Sequence, residues 1–583
     1  MPVATASPYL DPKSQLVALL EQALRLVAAD AMPLVELERP KQTSHGDFAC
    51  NVAMQLGKAM KRNPRELAQA VIAALPASDL LEKAEIAGPG FINLFLKPAA
   101  WQGVAAHVLA RGAAYGGGEV GRGEKVQIEF VSANPTGPLH VGHGRGAAFG
   151  ASLANLLTLA GYDVQREYYV NDAGRQMDIL ALSTWLRYLA VCGEAVPFPG
   201  NAYQGDYVSE MADSIHALHG KRYQRAAADV TRGVPGVGDN ADGHLDALIA
   251  NAKHLLGPDY AYIHGHALEE QLGDTRNDLT EFGVTFDTWF SEKTLHESGL
   301  IDRAVERMQQ HGHVYEQDGA LWFRSTAFGD EKDRVVRREN GIYTYFAADI
   351  AYHINKFERG FSRVLDVWGA DHHGYIPRVK GALTAAGLDA DRLTVALVQF
   401  AVLYRNGQKA SMSTRSGQYV TLRELRAEVG NDAARFFYVL RKSEQHLDFD
   451  LDLAKSRSND NPVYYIQYAH ARICSVLNSW GGVERDLLDA DSGLLREPQE
   501  LALLKRLAEF PETVNAAARE LSPHVIAYYL KDLAADLHGL YVACRFLDVE
   551  EPLKQARLLL IAATRQVLRG GLSVLGVSAP EKM

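Results

Sequence analysis

One stretch constrains this chain more than any other. Val126 to Val131 (VQIEFV) alternates and is β-branched, so it reads as a strand. It leads into ANPTGPLHVGHGRGAAFG (Ala133 to Gly150), where Pro135, Gly137 and Pro138 form a bend. Apolar residues then resume at helical spacing, with Phe149, Leu153, Leu156 and Leu157 on one side. A strand that turns at once into a helix lies where an α/β sheet binds ligands, at the carboxyl end of its strands. His140 and His143 fall in the first helical turn, three apart, so both imidazoles share a face. A helix start also offers unpaired N–H groups and partial positive charge, which suit a phosphate. Gly142, Gly144 and Gly146 keep side chains clear of something bulky, and a nucleoside triphosphate meets that description. The plainer readings are half of a metal site, or polar residues on an exposed helix end. Metal ligation is the weaker one, because no Cys or acidic ligand accompanies the pair at a usual spacing.

At 583 residues the chain exceeds a single core, and three or four domains are expected. Residues 1–112 read as a small α+β unit, with a helix from Ser14 to Asp30, another through NVAMQLGKAMKRNPRELAQAVIAAL, and a strand in GFINLFLK. Glycines between Ala113 and Gly123 read as a linker. Residues 124–454 alternate strands and helices as a nucleotide-binding domain does, with a long insertion at about 195–330. Residues 455–583 are almost entirely helical in pattern, an all-α bundle. The net charge of −11 argues mildly against a large nucleic-acid surface. From Lys455 onward, however, 15 Lys and Arg nearly balance 16 Asp and Glu, so an RNA partner is allowed there.

A triphosphate site needs more than one loop. DVWGADHHGYIPRVKGALTAAG (Asp366 to Gly387) repeats the layout with a strand, a Gly–Ala turn, Asp371, His372 and His373, then a helix that Asp371 could also cap unaided. VALVQFAVLYRNGQKASMSTRSG (Val395 to Gly417) has a strand, an Asn406–Gly407 hairpin turn, then Lys409, Ser411, Met412, Ser413, Thr414 and Arg415. Such a small, hydroxyl-rich, basic loop is how a phosphate clamp is built, although a polar loop with a lysine is more often simply solvated.

HVGH (His140 to His143) and SMSTR (Ser411 to Arg415) together resemble the HIGH and KMSKS signatures of class I aminoacyl-tRNA synthetases. EFVSANPTGPLHVGH, YYVNDAGRQM, YFAADIAYH, WGADHHGY, GNDAARFF and NPVYYIQYAHARI narrow the resemblance to the arginyl-tRNA synthetase family, in that family's order. SHGDFACNVAM and GPGFINLFL resemble its N-terminal tRNA-contacting domain, so the likeness covers nearly the whole chain. It implies a multidomain α/β protein: a Rossmann-type parallel-sheet catalytic domain with an insertion, a small N-terminal α+β domain and an anticodon-binding helical bundle.

The implied reaction joins arginine to ATP as arginyl-adenylate, then moves the arginyl group to tRNA(Arg). The resemblance makes His140, His143, Lys409 and Arg415 catalytic. It assigns ATP to Pro138, Gly142, Gly369, Asp371, His372, Met412 and Ser413, with Mg2+ carried by the nucleotide and no protein-bound metal. Glu129, Ser132, Asn134, Tyr345 and Asp349 would hold arginine, Tyr345 and Asp349 at its guanidinium and Glu129 and Asn134 at its amino and carboxylate ends. Tyr468, Arg472 and Met583 would contact the tRNA. One departure stands out: Ser411 and Thr414 occupy the signature's two lysine positions, and Lys409 lies just upstream.

Rival readings are another class I synthetase, a nucleotidylyltransferase, which would not need the helical tail, and an inactive RNA-binding relative, against which both histidines and Asp349 speak. MPVATASPYLDPK lacks the parts of a signal peptide and no apolar run approaches membrane-spanning length, so a cytoplasmic chain is expected, off the membrane and monomeric. Cys50, Cys192, Cys474 and Cys544 form no CxxC and read as reduced thiols.

Overall fold

A computed structural model describes residues 11–29, 31–118, 120–238, 240–410 and 419–583. Its centre is a five-stranded sheet of β1 (Lys125–Glu129), β2 (Asp163–Val170), β3 (Thr288–Ser291), β4 (Arg363–Gly369) and β5 (Leu393–Val398). The order is β5-β4-β1-β2-β3, with every neighbouring pair parallel. Winding runs one way from β1 to β2 and β3 and the other way to β4 and β5. A crevice therefore opens beyond the carboxyl ends of β1 and β4, the switch point where such sheets bind ligands. The helix α1 (Val141–Leu159) crosses from β1 to β2 and is buried on most of its surface. Gly150 lets it pack flush, since a Cβ there would stand 2.3 Å from the Phe130 ring.

The expected single insertion at about 195–330 is two. Between β2 and β3, the helices Arg175–Val191, Asp206–His219, Ala241–Leu256 and Asp259–Glu281 build a core of their own around Trp185, Tyr188, Ile215, Tyr223 and Leu248. β3 then returns to the main sheet. The second excursion carries a helix (Leu300–Gln310) and a three-stranded antiparallel sheet ending at Arg337, before α2 (Tyr345–Glu358) packs back. β3 escapes a pattern reading because it is a four-residue edge strand with no fully buried face.

The N-terminal unit is a four-stranded antiparallel sheet with three helices, the first at Pro12–Val27. Its expected long helix is broken in two: Lys61 turns left-handed (φ 52°), and Asn63 caps a new start with Pro64 in its first turn. The glycines read as a linker are packed instead. Gly116 has φ 88° and a Cβ on it would strike Phe510, while one on Gly118 would strike Asn515.

The C-terminal helices are α3 (Pro462–Trp480), α4 (Pro498–Arg519), α5 (His524–Ala543) and α6 (Glu551–Leu575). α6 is long and apolar enough to cross a membrane, contrary to the sequence expectation, and 72% of its most apolar window is buried inside the protein. The bundle is tied to its neighbours by polar contacts. Arg39 pairs with Glu509 and Glu512, Lys505 pairs with Asp47, and Tyr115 donates to the Leu507 carbonyl. Arg435, wholly buried, donates to the carbonyls of Leu575, Phe282 and Gly283, joining the end of α6 to the catalytic domain.

Candidate active site

His140 is the N-cap of α1 rather than part of its first turn, and its Nδ1 accepts from the Gly142 N–H at 3.1 Å. The His140 N–H in turn donates to His143 Nδ1 at 3.3 Å, so the two histidines cap the helix reciprocally, with rings stacked 3.7 Å apart. A neutral imidazole has one donor and one acceptor nitrogen. With both Nδ1 atoms accepting, each ring keeps its proton on Nε2, available for donation to a ligand. Burial holds both below the ordinary histidine range, His143 down to about 3 with His140 as a further cause. At neutral pH they are donors, not cations. Gly142 has a local reason: a Cβ there would stand 2.8 Å from the His140 ring.

The turn is laced to residues 420–422. Val141 N–H donates to the Val420 carbonyl and Leu422 N–H to the Leu139 carbonyl, at 3.0 and 2.8 Å. One turn on, the buried Arg145 donates to the carbonyls of Gln399, Lys442 and Gln445. A cavity of about 510 Å³ opens beside this turn at the β1–β4 switch point. Ser132, Asn134, His140, Gly142, His143, Gly369, Asp371 and His372 all line it. Val131 and Ser132, at the end of β1, both take left-handed backbone (φ 69° and 40°), strained for a β-branched residue and a common mark of a ligand site. The Ser132 hydroxyl donates to Glu129 Oε1 at 2.9 Å and accepts from the Tyr169 N–H at 3.1 Å.

Two expected residues, Pro138 and Lys409, stand apart from this cavity. Pro138 lines a neighbouring hollow with Asp206, Glu210 and Glu270, because the bend carries it past the switch point. Lys409 is exposed, paired with Tyr404 across the Asn406–Gly407 turn, and does not line the cavity. Met412, Ser413 and Arg415 lie outside the described residues.

Of the arginine expectations, Ser132 and Asn134 line this first cavity, while Tyr345 marks a second. Tyr345 opens α2 and lines a cavity of about 390 Å³, its hydroxyl lying over Gly174, which leaves no room for a Cβ. Asp349 follows one turn later, half-buried and close to the Tyr375 hydroxyl. Glu129, Asp172, Glu292 and Asp349 all crowd Tyr169, and burial plus these charges pushes its hydroxyl well above the tyrosine range. Burial, with Asp172 and Asp349 nearby, raises Glu292 to about 7. A nest of carboxylates and phenol rings is what a guanidinium requires. Asp172 and Glu292 escape a sequence reading: one sat unmarked in YYVNDAGRQM, the other just after the unrecognised β3. Among the described residues, no group of three or more His, Cys, Asp or Glu is arranged to hold a metal ion.

Comparison with known proteins agrees in all three regions. Family models described as arginyl tRNA synthetase N terminal domain, tRNA synthetases class I (R) catalytic domain, and DALR anticodon binding domain match residues 14–96, 105–188 with 275–447, and 466–583. An arginine–tRNA ligase of Azoarcus sp. is 66% identical, over 98% of this chain and all of the relative. The chain belongs to the arginyl-tRNA synthetase family. A second ligase of that name, from Dechloromonas aromatica, is 63% identical over 98% of this chain and all of its own. The crystal structure of a putative arginyl-tRNA synthetase from Campylobacter jejuni superposes with a TM-score of 0.74 at 31% identity, covering 84% of this chain and all of that one. The Thermus thermophilus arginyl-tRNA synthetase shares the fold, with a TM-score of 0.72 at 24% identity, over 98% of this chain and 100% of that chain. The residues 189–274 left unmatched by the family's catalytic model fall largely in the first helical insertion.

On α3, Tyr464 and Tyr468 stack 6.2 Å apart and nearly parallel, and His538 of α5 continues the row. Tyr468 is 38% exposed, whereas Arg472 folds its guanidinium over Tyr541 at 4.0 Å. Met583 reaches back to share a cavity of about 740 Å³ with Tyr464 and Gln467.

The neutral histidine pair has a stability signature. The unfolded chain takes up a proton at His143 below about pH 6.5 and the folded chain does not until about 3. This contribution is therefore present above pH 6.5 and lost as pH falls, with a slope approaching about 1.4 kcal/mol per pH unit. Denaturant titrations of His143→Asn should show a shallower loss of stability between pH 6 and 4 than the parent. Parallel curves would mean that His143 titrates normally in the fold.

Proposed function

We infer that the chain is an arginine–tRNA ligase and that the two cavities of the crevice divide its small substrates. The enzyme activates L-arginine with ATP, forming arginyl-adenylate and pyrophosphate, and transfers the arginyl group to the 3′ end of tRNA(Arg). The observation that carries this reading is the juxtaposition of a neutral, Nε2-donating histidine pair with a carboxylate nest at one switch point. The nucleophile of the first step is a carboxylate, ionised already, so no general base is needed. Catalysis is then positioning plus stabilisation of charge on phosphate oxygens. His140 and His143 donate to those oxygens without adding a charge that would bind ground state and transition state alike.

ATP enters with its Mg2+, its adenosine beside Gly142, Gly369, Asp371 and His372, its phosphates assigned to Met412, Ser413 and Arg415. Asp349 and Tyr345 take the guanidinium, with Glu292 and Asp172 beside them. Glu129, Ser132 and Asn134 take the amino and carboxylate ends. The row of Tyr464, Tyr468 and His538 supports a stacking surface for unpaired bases, bordered by Arg472 and Met583. The setting we propose is a cytoplasmic monomer, and four buried cysteines without disulfides fit a reducing compartment.

Asp349→Ala tests the arginine assignment. Leaving a buried guanidinium without its partner costs about 3 kcal/mol, so KM for arginine in pyrophosphate exchange should rise about a hundredfold. KM for ATP should stay within a few-fold; an unchanged arginine KM would place the guanidinium elsewhere. The missing signature lysines call for a separate comparison. Lys409→Ala should lower kcat for activation about a hundredfold, as loss of one charge-stabilising group does, with KM for arginine nearly constant. A silent Lys409→Ala beside a crippled Arg415→Ala would assign the phosphate charge to Arg415 instead.

A further inference from the structure

Three carboxylates stand side by side under α2. Glu129 on β1 is directly opposite Asp366 on β4 and Glu167 on β2, so all three project from the same face of the sheet. Such a row is untenable without cations. The helix supplies them, with His353 and Lys356 on the face that also bears Asp349, and Arg359 at its end.

Two of the three acids have complete sets of partners. Glu167 accepts from both Nη atoms of Arg359 and from the Tyr352 hydroxyl at 2.5 to 2.8 Å. Asp366 accepts from His353 Nε2 at 2.9 Å and Lys356 Nζ at 2.7 Å. Both are sealed, with no exposed side-chain surface. Glu129 differs. It accepts from Lys356 Nζ at 2.5 Å and from the hydroxyl of Ser132, itself a residue of the ATP cavity, and 11% of its side chain remains accessible. Lys356 itself has no exposed surface and lines neither of the two cavities.

We propose that Lys356 is a positioning residue for arginine binding, its buried ammonium keeping the Glu129 carboxylate charged and oriented toward the substrate's α-ammonium. The proposal rests on the assignment of Glu129 made above. Burial alone drives Glu129 toward protonation, and the charge of Asp366 beside it pushes the same way; the Lys356 ammonium is the main opposing influence. The other groups facing Glu129 cannot take its place. Tyr352 and Tyr169 are phenols held neutral by burial, Arg359 is committed to Glu167, and His353 to Asp366. Without Lys356, the site would present a neutral carboxyl group where a carboxylate is required.

The test uses full-length enzyme with tRNA in pyrophosphate exchange. Lys356→Met is combined with Asp366→Asn, so that no second carboxylate is orphaned and His353 keeps an acceptor. The ratio of the variant's arginine KM to that of the parent should be about tenfold or more at pH 7, and fall toward one by pH 9 as Glu129 ionises, a tenfold change per pH unit being the limit for one group. KM for ATP should change by less than about twofold. A structural defect alone would lower kcat or the melting temperature and give a ratio independent of pH. Lys356→Gln/Asp366→Asn carries the same expectation if the methionine variant does not fold. Glu129→Gln separates the two levels. If it leaves arginine KM unchanged, the assignment of Glu129 falls and the proposal with it. If it raises KM while the Lys356 variants show a small or pH-independent ratio, Lys356 is structural and the proposal alone is overturned.

Discussion

The buried charge row of β4, β1 and β2 is the constraint around which the catalytic domain is arranged. Three strands can place Asp366, Glu129 and Glu167 side by side only if a helix crosses them with cations at matching intervals. α2 meets that condition, and its position then fixes Asp349 and Tyr345, the residues proposed for the guanidinium, one and two turns nearer its start. On the proposed assignment, arginine recognition is built into the packing of helix on sheet, not hung on a loop. Charged interiors are poor sources of net stability, but they punish any misalignment, and a rigid pocket benefits from that.

The ATP side uses the opposite strategy. There the histidine pair is neutral and the geometry comes from bonds to the backbone: a reciprocal histidine cap, the bonds from Leu139 and Val141 to residues 420–422, and Arg145 holding three carbonyls. Arg145 and Arg435 both lie buried with carbonyls as their partners, and burial lowers each to about 10. They remain cations at neutral pH, and each joins segments far apart in the chain, so domain placement and cavity shape depend on one another.

Much of this was legible in the sequence. The strand–turn–helix at residues 126–159 announced itself by periodicity, and His140 and His143 by their place at a helix start. Asp371 and His372 followed from the repeated layout. Other features were hidden for physical reasons. β3 is short and at the sheet edge, so its alternation is faint, and Glu292 went unseen with it. Lys356, His353 and Asp366 look like an ordinary amphipathic stretch until the strand register sets three acids beneath them. The glycines near Gly116 resemble a linker because composition does not reveal a neighbour such as Phe510 four hundred residues away. Pro138 belongs to the bend by its chemistry, but the direction of the bend is a matter of packing.

We propose that the guanidinium is received by a carboxylate nest in which burial holds Glu292 partly protonated. Glu292 is raised to about 7, first by burial and then by Asp172 and Asp349. A bound guanidinium favours the ionised form, so binding below that value must expel a proton, and affinity must climb as pH rises through about 7. Calorimetric titration of arginine at pH 6.5 in two buffers of different ionisation enthalpy measures this directly. The account predicts release of up to about one proton per arginine bound, abolished in Glu292→Gln. Binding with no proton release, or with proton uptake, would contradict it.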